Sequence, residues 1–232
     1  MKKYLVLLFL LTYLFSCQTT KYPNFSQITT SNEGIVSSAQ PLATLAGKEM
    51  LAQGGNAVDA AVATGFALAV VEPSMSGLGG RLQAIVRLPN GELHGFDATT
   101  QAPMRYDTAT TPDVRYGYDV VGIPGVPAGL IKMQKELGKL PLSTVIQPAI
   151  RYAKNGFKLL PGEVLREQKE VEKLKEFAGS TQYFLKNGKA RTTKDKFVQS
   201  DLAKVLERIA AQGHDGFYKG ETAQKMAADV QA

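Results

Sequence analysis

Arg81 heads an alternating stretch, RLQAIVRL (residues 81–88), directly after a glycine cluster at Gly77, Gly79 and Gly80. A guanidinium is permanently charged, and its planar fork meets a carboxylate bidentately, so this residue is a candidate binder of an anionic group. PNGE (89–92) turns the chain and LHGFDAT (93–99) returns with a second alternating pattern, so the stretch reads as a β-hairpin. With Asn90-Gly91 at the centre of the turn, facing residue numbers sum to 181, which sets Arg81 opposite Thr100 and beside Thr99. Facing side chains share one side of a sheet, with Cβ atoms about 5 Å apart. Arg81, Thr99 and Thr100 are therefore the candidate substrate-binding residues, the arginine for charge and the threonines for hydroxyls. A structural role competes, in which Arg81 bonds loop carbonyls or pairs with Asp97.

Other groups carry less. Gly77-Leu78-Gly79-Gly80-Arg81-Leu82 is not a dinucleotide fingerprint: its sixth position is Leu82, and the order is helix, glycines, strand. His94 and His214 stand far apart in the sequence with no carboxylate pattern around them, so neither metal nor cofactor is implied. Asp59 and Glu72 lie on an apolar helical stretch, where a carboxylate must find hydrogen-bond donors. Structural satisfaction is the reading for Asp59, with the glycine-rich backbone as a source of donors; Glu72, before Pro73, fixes the following loop.

The elements that position these residues follow from pattern. IVSSA (35–39) reads as a short strand. Pro41 opens a helix with Leu42, Leu45, Ala46, Met50 and Leu51 on one face, and Gly54-Gly55 ends it. Asn56 caps a second helix, AVDAAVATGFALAVVE (57–72), apolar almost all round and so buried on both sides. After the hairpin, 104–121 reads as loop, and a helix begins near Ala128. Further helices are expected over 142–156, 160–179, 200–220 and 221–232; the charged run 163–177 is a solvated face.

Composition fits a packed body of 232 residues, 44% apolar and 21% charged. The formal charge of +6 includes Lys2 and Lys3; without them 25 basic residues face 21 acidic ones. Basic residues form no dense run and no stacking pattern with aromatics, which argues against nucleic acid. MKK followed by YLVLLFLLTYLF (4–15) is too short to span a bilayer and reads as an export signal. Leu14-Phe15-Ser16-Cys17 resembles a bacterial lipobox, which makes residues 1–17 a lipoprotein signal peptide ending at a lipidated Cys17. Cys17 is the one cysteine, so no internal disulfide is available. Residues 18–34 form a polar tether, and residues 35–232 the folded body of a membrane-anchored, exported protein, periplasmic or at the cell surface.

Four stretches together carry a family resemblance: SSAQPLATLAGKEMLAQGGNAVDAAVATGFALAVVEPSMSGLGG (37–80), DATTQAP (97–103), VVGIPGVPAGL (120–130) and GFYKGETAQKMAADVQA (216–232). They resemble the large-subunit portion of the gamma-glutamyltranspeptidase family. The resemblance implies an α+β fold of N-terminal-nucleophile hydrolase type, an αββα sandwich, incomplete here and with a largely helical C-terminal half. It implies a precursor that cleaves itself before a threonine, which then opens a small subunit and attacks a gamma-glutamyl amide with its own amine as base. That nucleophile, the autoprocessing site and the small-subunit oxyanion donors have no counterpart in these residues, so no catalytic residue is assigned and the isolated chain is expected to be inactive. The family's arginine that pairs with the substrate α-carboxylate stands in Arg-Glu-Thr-Ala-Pro. Matching Ala102-Pro103 to that motif puts Thr99 where the arginine should be, and Arg81 replaces a residue of the family's glycine run. An arginine lost from one strand end thus reappears on the neighbouring strand.

Two functions stand side by side. One is the large-subunit part of a glutathione or gamma-glutamyl amide hydrolase or transferase, with a gamma-glutamyl small molecule, a small subunit carrying the threonine, and the membrane as partners. The other is a non-catalytic lipoprotein that binds an anionic small molecule or a partner protein.

Overall fold

The computed structural model describes residues 29–104, 106–107, 109–110 and 114–231. The export signal, Cys17 and most of the tether lie outside the described residues. The chain divides into two units, Met1–Glu33 and Gly34–Ala232. In the first, the described residues 29–33 carry no helix or strand. The second holds every element below.

Gln40 begins the helical order. Its side chain is buried and accepts from the backbone N–H groups of Leu42 (2.5 Å) and Ala43 (3.3 Å), capping α1 (Pro41–Ala52). The helix turns Ala43, Ala46, Gly47 and Met50 inward and leaves the expected face residue Leu45 exposed. Small residues at that contact let α1 approach its neighbour closely, which a leucine stripe would not. That neighbour, α2 (Ala57–Val71), is the centre of the core: apart from Ala57, Ala61, Gly65 and Leu68, all its residues are buried. Asn56 caps it through Val58 N–H and Asp59 N–H, as its sequence position indicates.

β1 (Leu82–Arg87) and β2 (Leu93–Ala98) form an antiparallel pair running from Leu82↔Ala98 to Arg87↔Leu93. Facing numbers therefore sum to 180, not 181. Gly91 N–H donates to Leu88 O (2.9 Å), so the turn spans 88–91 with Pro89 in its second position, where a fixed φ near −65° fits. Gly91 then takes φ +91° and returns the chain one residue later than a two-residue turn would. Leu82, Ala84, Val86 and Phe96 face the core. Ile85 and Leu93 stand on the other face, 82% and 66% exposed.

The remaining order is a 3-10 turn (Tyr118–Val120), α3 (Val126–Leu137), α4 (Leu142–Val145), α5 (Gln147–Asn155), β3 (Phe157–Lys158), α6 (Pro161–Lys169), α7 (Val171–Lys175), α8 (Ala178–Phe184), β4 (Lys196–Phe197), α9 (Ser200–Gln212), α10 (Asp215–Tyr218) and α11 (Gly220–Gln231). The helical C-terminal half is present but more broken than the pattern indicates. Pro148, which lacks an N–H, falls in the first turn of α5 and separates it from α4. Residues 35–39 form no strand: they lie against the helix α1, with Val36 close to Gly47 and Ser38 bonded to Thr44, and no backbone ladder reaches them among the described residues.

Asp59 has no exposed surface. Its carboxylate accepts from Asn56 N–H (2.6 Å), Gln134 Nε2 (2.6 Å), Lys139 N–H (3.0 Å) and Leu140 N–H (3.0 Å). Structural satisfaction is thus its role, with one donor from Asn56, directly after Gly54-Gly55, and the others from α3 and the loop after it. Burial pushes the carboxyl up, and the bonds from Gln134, Leu140, Asn56 and Lys139 together outweigh burial and hold it below the usual carboxylate range. Replacing Asp59 by alanine should cost about 3 kcal/mol in denaturant titrations, because several buried donors lose their acceptor. A lowered pKa gives stability that is present above the unfolded value and lost as pH falls through the folded one. Asp59→Asn should flatten that acid limb, and an unchanged limb would remove Asp59 from the account.

Candidate functional site

The glycine cluster leaves α2 through Glu72, whose carbonyl accepts from Met75 N–H (3.1 Å) and Ser76 N–H (2.9 Å). So Glu72 does hold the loop that follows, through its backbone. Its side chain lies 4.0 Å from Arg166, which also bonds the buried Glu163. Ser74 completes the group: its hydroxyl donates to Glu163 (2.8 Å) and accepts from Arg166 Nε (2.6 Å). Burial first, and then the Glu163 charge, push the Glu72 carboxyl up against the opposing pull of Arg166.

At its far end the cluster is tied to α3. Gly80 O accepts from Gly125 N–H (2.9 Å) and Val126 N–H (3.2 Å), two donors that the first turn of a helix cannot satisfy internally. Ala128 N–H, the next free donor, bonds the Tyr218 hydroxyl (3.2 Å), which itself donates to Pro124 O (2.7 Å). The glycines of VVGIPGVPAGL are required by contact. A Cβ on Gly125 would fall inside the Ala98 carbonyl oxygen, and one on Gly129 would lie 2.7 Å from Ala98 Cβ. Upstream, Gln101 and Ile123 exchange backbone hydrogen bonds of 3.2 and 2.8 Å. Three stretches distant in sequence thus meet at the open end of the hairpin.

Arg81 lies there, exposed, and no described residue hydrogen-bonds or ion-pairs with its side chain. Neither structural role weighed for it, loop carbonyls or Asp97, is present among the described residues. The corrected register changes its neighbour. The ladder ends at Leu82↔Ala98; continued by one step its register would set Arg81 opposite Thr99, not Thr100, and both residues are exposed. Thr99 donates its hydroxyl proton to Asp97 Oδ1 (2.5 Å), and its N–H bonds the same oxygen (3.0 Å). These bonds, the side-chain one foremost, hold the Asp97 carboxyl below its usual range. With its one proton engaged, the Thr99 hydroxyl is left as an acceptor. Thr100 is half-buried against Gly122, where a Cβ would come within 2.9 Å of its own Cβ. Thr99 is exposed and bonded to Asp97, whereas Thr100 is half-buried against Gly122.

A cavity of about 390 Å³ runs along the unpaired edge of β2, lined among others by Asp97, Thr99, Gln101, Lys132, His214 and Tyr218. The His214 ring stacks on Tyr218 with centroids 4.4 Å apart. Lys132, His214 and Tyr218 were not among the sequence candidates; Tyr218 lies in the GFYKG stretch, whose place beside the hairpin only the fold reveals.

Comparison with known proteins gives the same pattern of kinship. The family model for gamma-glutamyltranspeptidase matches residues 43–232. A glutathione hydrolase proenzyme from a Pseudomonas species is 36% identical over 214 residues, covering 87% of this chain and 37% of that protein. The glutathione hydrolase proenzyme of Escherichia coli is 36% identical over 213 residues, covering 87% and 36%. The crystal structure of Helicobacter pylori gamma-glutamyltranspeptidase superposes with a TM-score of 0.85 at 36% identity, over 88% of this chain and 61% of that one. The chain thus spans a little over a third of the length of the curated relatives it matches.

Gly125→Ala should destabilise the protein by about 3 kcal/mol, since backbone must move to admit the methyl group. Gly79→Ala, which meets nothing within 4 Å, should stay within about 0.5 kcal/mol in the same thermal melts. Equal effects would remove the close-contact explanation. For Glu72 the sign is opposite to that of Asp59. The raised pKa means that its neutral form contributes stability in full below the ordinary value of 4.5 and loses it as pH rises through the folded value. Glu72→Gln should therefore be more stable than the parent at neutral pH and converge with it in acid; parallel profiles would refute the assignment.

Proposed function

Because the chain belongs to the gamma-glutamyltranspeptidase family, we propose that it supplies the large-subunit portion of a hydrolase or transferase of glutathione and related gamma-glutamyl amides. The threonine nucleophile and the oxyanion donors come from a segment outside these 232 residues. Two features of the hairpin support a continuing sheet of the αββα kind. Among the described residues β2 keeps a free edge, and Ile85 and Leu93 stand exposed on a face that a second sheet would cover. In the same reading, Cys17 carries a lipid anchor on the exported protein.

Within that reading Arg81 binds the substrate α-carboxylate. The observation that supports it is the register, which ends at Leu82↔Ala98 and, continued by one step, would set an unpaired Arg81 opposite Thr99, the position where the resembling motif has its arginine. In the bound state the guanidinium fork would meet both carboxylate oxygens, and Thr99 Oγ1, its proton held by Asp97, would offer the guanidinium an acceptor. Asp97 is a positioning residue: it fixes the hydroxyl that fixes the arginine. Bound this way, the γ-amide of the substrate is held for attack by the threonine supplied from elsewhere, and the chain contributes orientation rather than a reacting atom.

The test is reconstitution. The chain alone should release no glutamate from glutathione, and co-expression with a segment that begins at the nucleophilic threonine should restore turnover. In that complex Arg81→Ala should raise KM about a hundred-fold with kcat little changed. An unaltered KM would discard the role of Arg81, and failure of every such segment to restore turnover would favour a non-catalytic binding protein.

A further inference from the structure

The short ladder of β3 and β4 pairs Phe157 with Phe197 and Lys158 with Lys196. The two phenylalanines are buried, with ring centroids 5.8 Å apart, and clamp the ladder to the core. The lysines occupy the opposite, exposed side. Cross-strand partners lie about 5 Å apart at Cβ, and like charges so placed repel. No described residue forms an ion pair or side-chain hydrogen bond with either ammonium, or with that of Lys194 two residues earlier.

This is not the protein's habit. Lys154, Lys173, Lys175 and Lys204 each pair with a carboxylate. Lysines elsewhere also stand unpaired, but strand register forces no two of those together. The second like-charged bridge, Lys186 with Lys189, is relieved by the bond from Lys186 to Asp195. At Lys158 and Lys196 the repulsion is fixed by the ladder and left without a counter-charge. Leu160 and Val198, close by in sequence on each strand's exit, are exposed apolar side chains.

We propose that Lys158 and Lys196 form a docking point for phosphate-type anions at the surface of a lipid bilayer. An anion with several oxygens can bridge two ammonium groups and relieve their repulsion. A headgroup layer presents such anions densely and also accepts apolar side chains beside them. The choice of lipid over free phosphate rests on the anchoring proposed above: a polar tether of 17 residues after Cys17 has a root-mean-square reach of roughly 20–25 Å.

The experiment uses the full chain with vesicles of neutral phosphatidylcholine or of phosphatidylcholine mixed with anionic phosphatidylglycerol. Acetylation of each lysine is followed by mass spectrometry. Lys158 and Lys196 should react about five-fold more slowly on the anionic vesicles, with the carboxylate-paired Lys204 and Lys225 unchanged. Equal rates on the two vesicle types would overturn the proposal. Equal protection by millimolar inorganic phosphate on neutral vesicles would also overturn it, moving the site to a free anion. The anchor is read separately, by whether the chain floats with neutral vesicles, so the two readings fail independently.

Discussion

A carboxylate with no contact with water is tolerable only when donors surround it, and Asp59 gathers its donors from three places: the turn before α2, the last turns of α3, and the loop after α3. Asn56 reinforces the junction through Nδ2, which donates to Leu137 O at 2.7 Å. A buried charge has few alternative arrangements, so this contact fixes the C-terminal end of α3 against the core helix α2. The other end of α3 is then not free either. Its first N–H groups bond Gly80 O and the Tyr218 hydroxyl, and its glycines admit the backbone of β2. α3 acts as a strut between a buried carboxylate and the open end of the hairpin. The placement of Arg81 and Thr99 follows from the geometry of that strut.

The hairpin's open end differs in kind from the core. Around Asp59 every charge has its partners. At the hairpin's open end Arg81 is an exposed cation with no ion pair to a described residue, and Asp97 is held ionised by its bonds from Thr99. Ile85 and Leu93 likewise stand exposed on the outer face of the hairpin.

Much of this was legible in the sequence. Local rules suffice for the capped helix at Asn56, the all-round apolar helix α2, the hairpin, and the need of Asp59 for buried donors, because capping, periodicity and desolvation act within a few residues. The resemblance carried by four stretches identified the family for the same reason: those stretches encode backbone contacts that tolerate few residue types. The register did not follow. Whether the turn holds two residues or three depends on Pro89 and Gly91 choosing one conformation together with the bonds that close it, and a single residue moves every facing pair. The face of α1 was also misread, since Leu45 counts as apolar by type but the contact with α2 selects small residues. Tertiary structure alone decided that Thr100 turns away, that the Thr99 proton is spent on Asp97, and that α3 carries the hairpin end. Those are relations between segments tens of residues apart, set by which backbones can approach, and no local pattern encodes that distance.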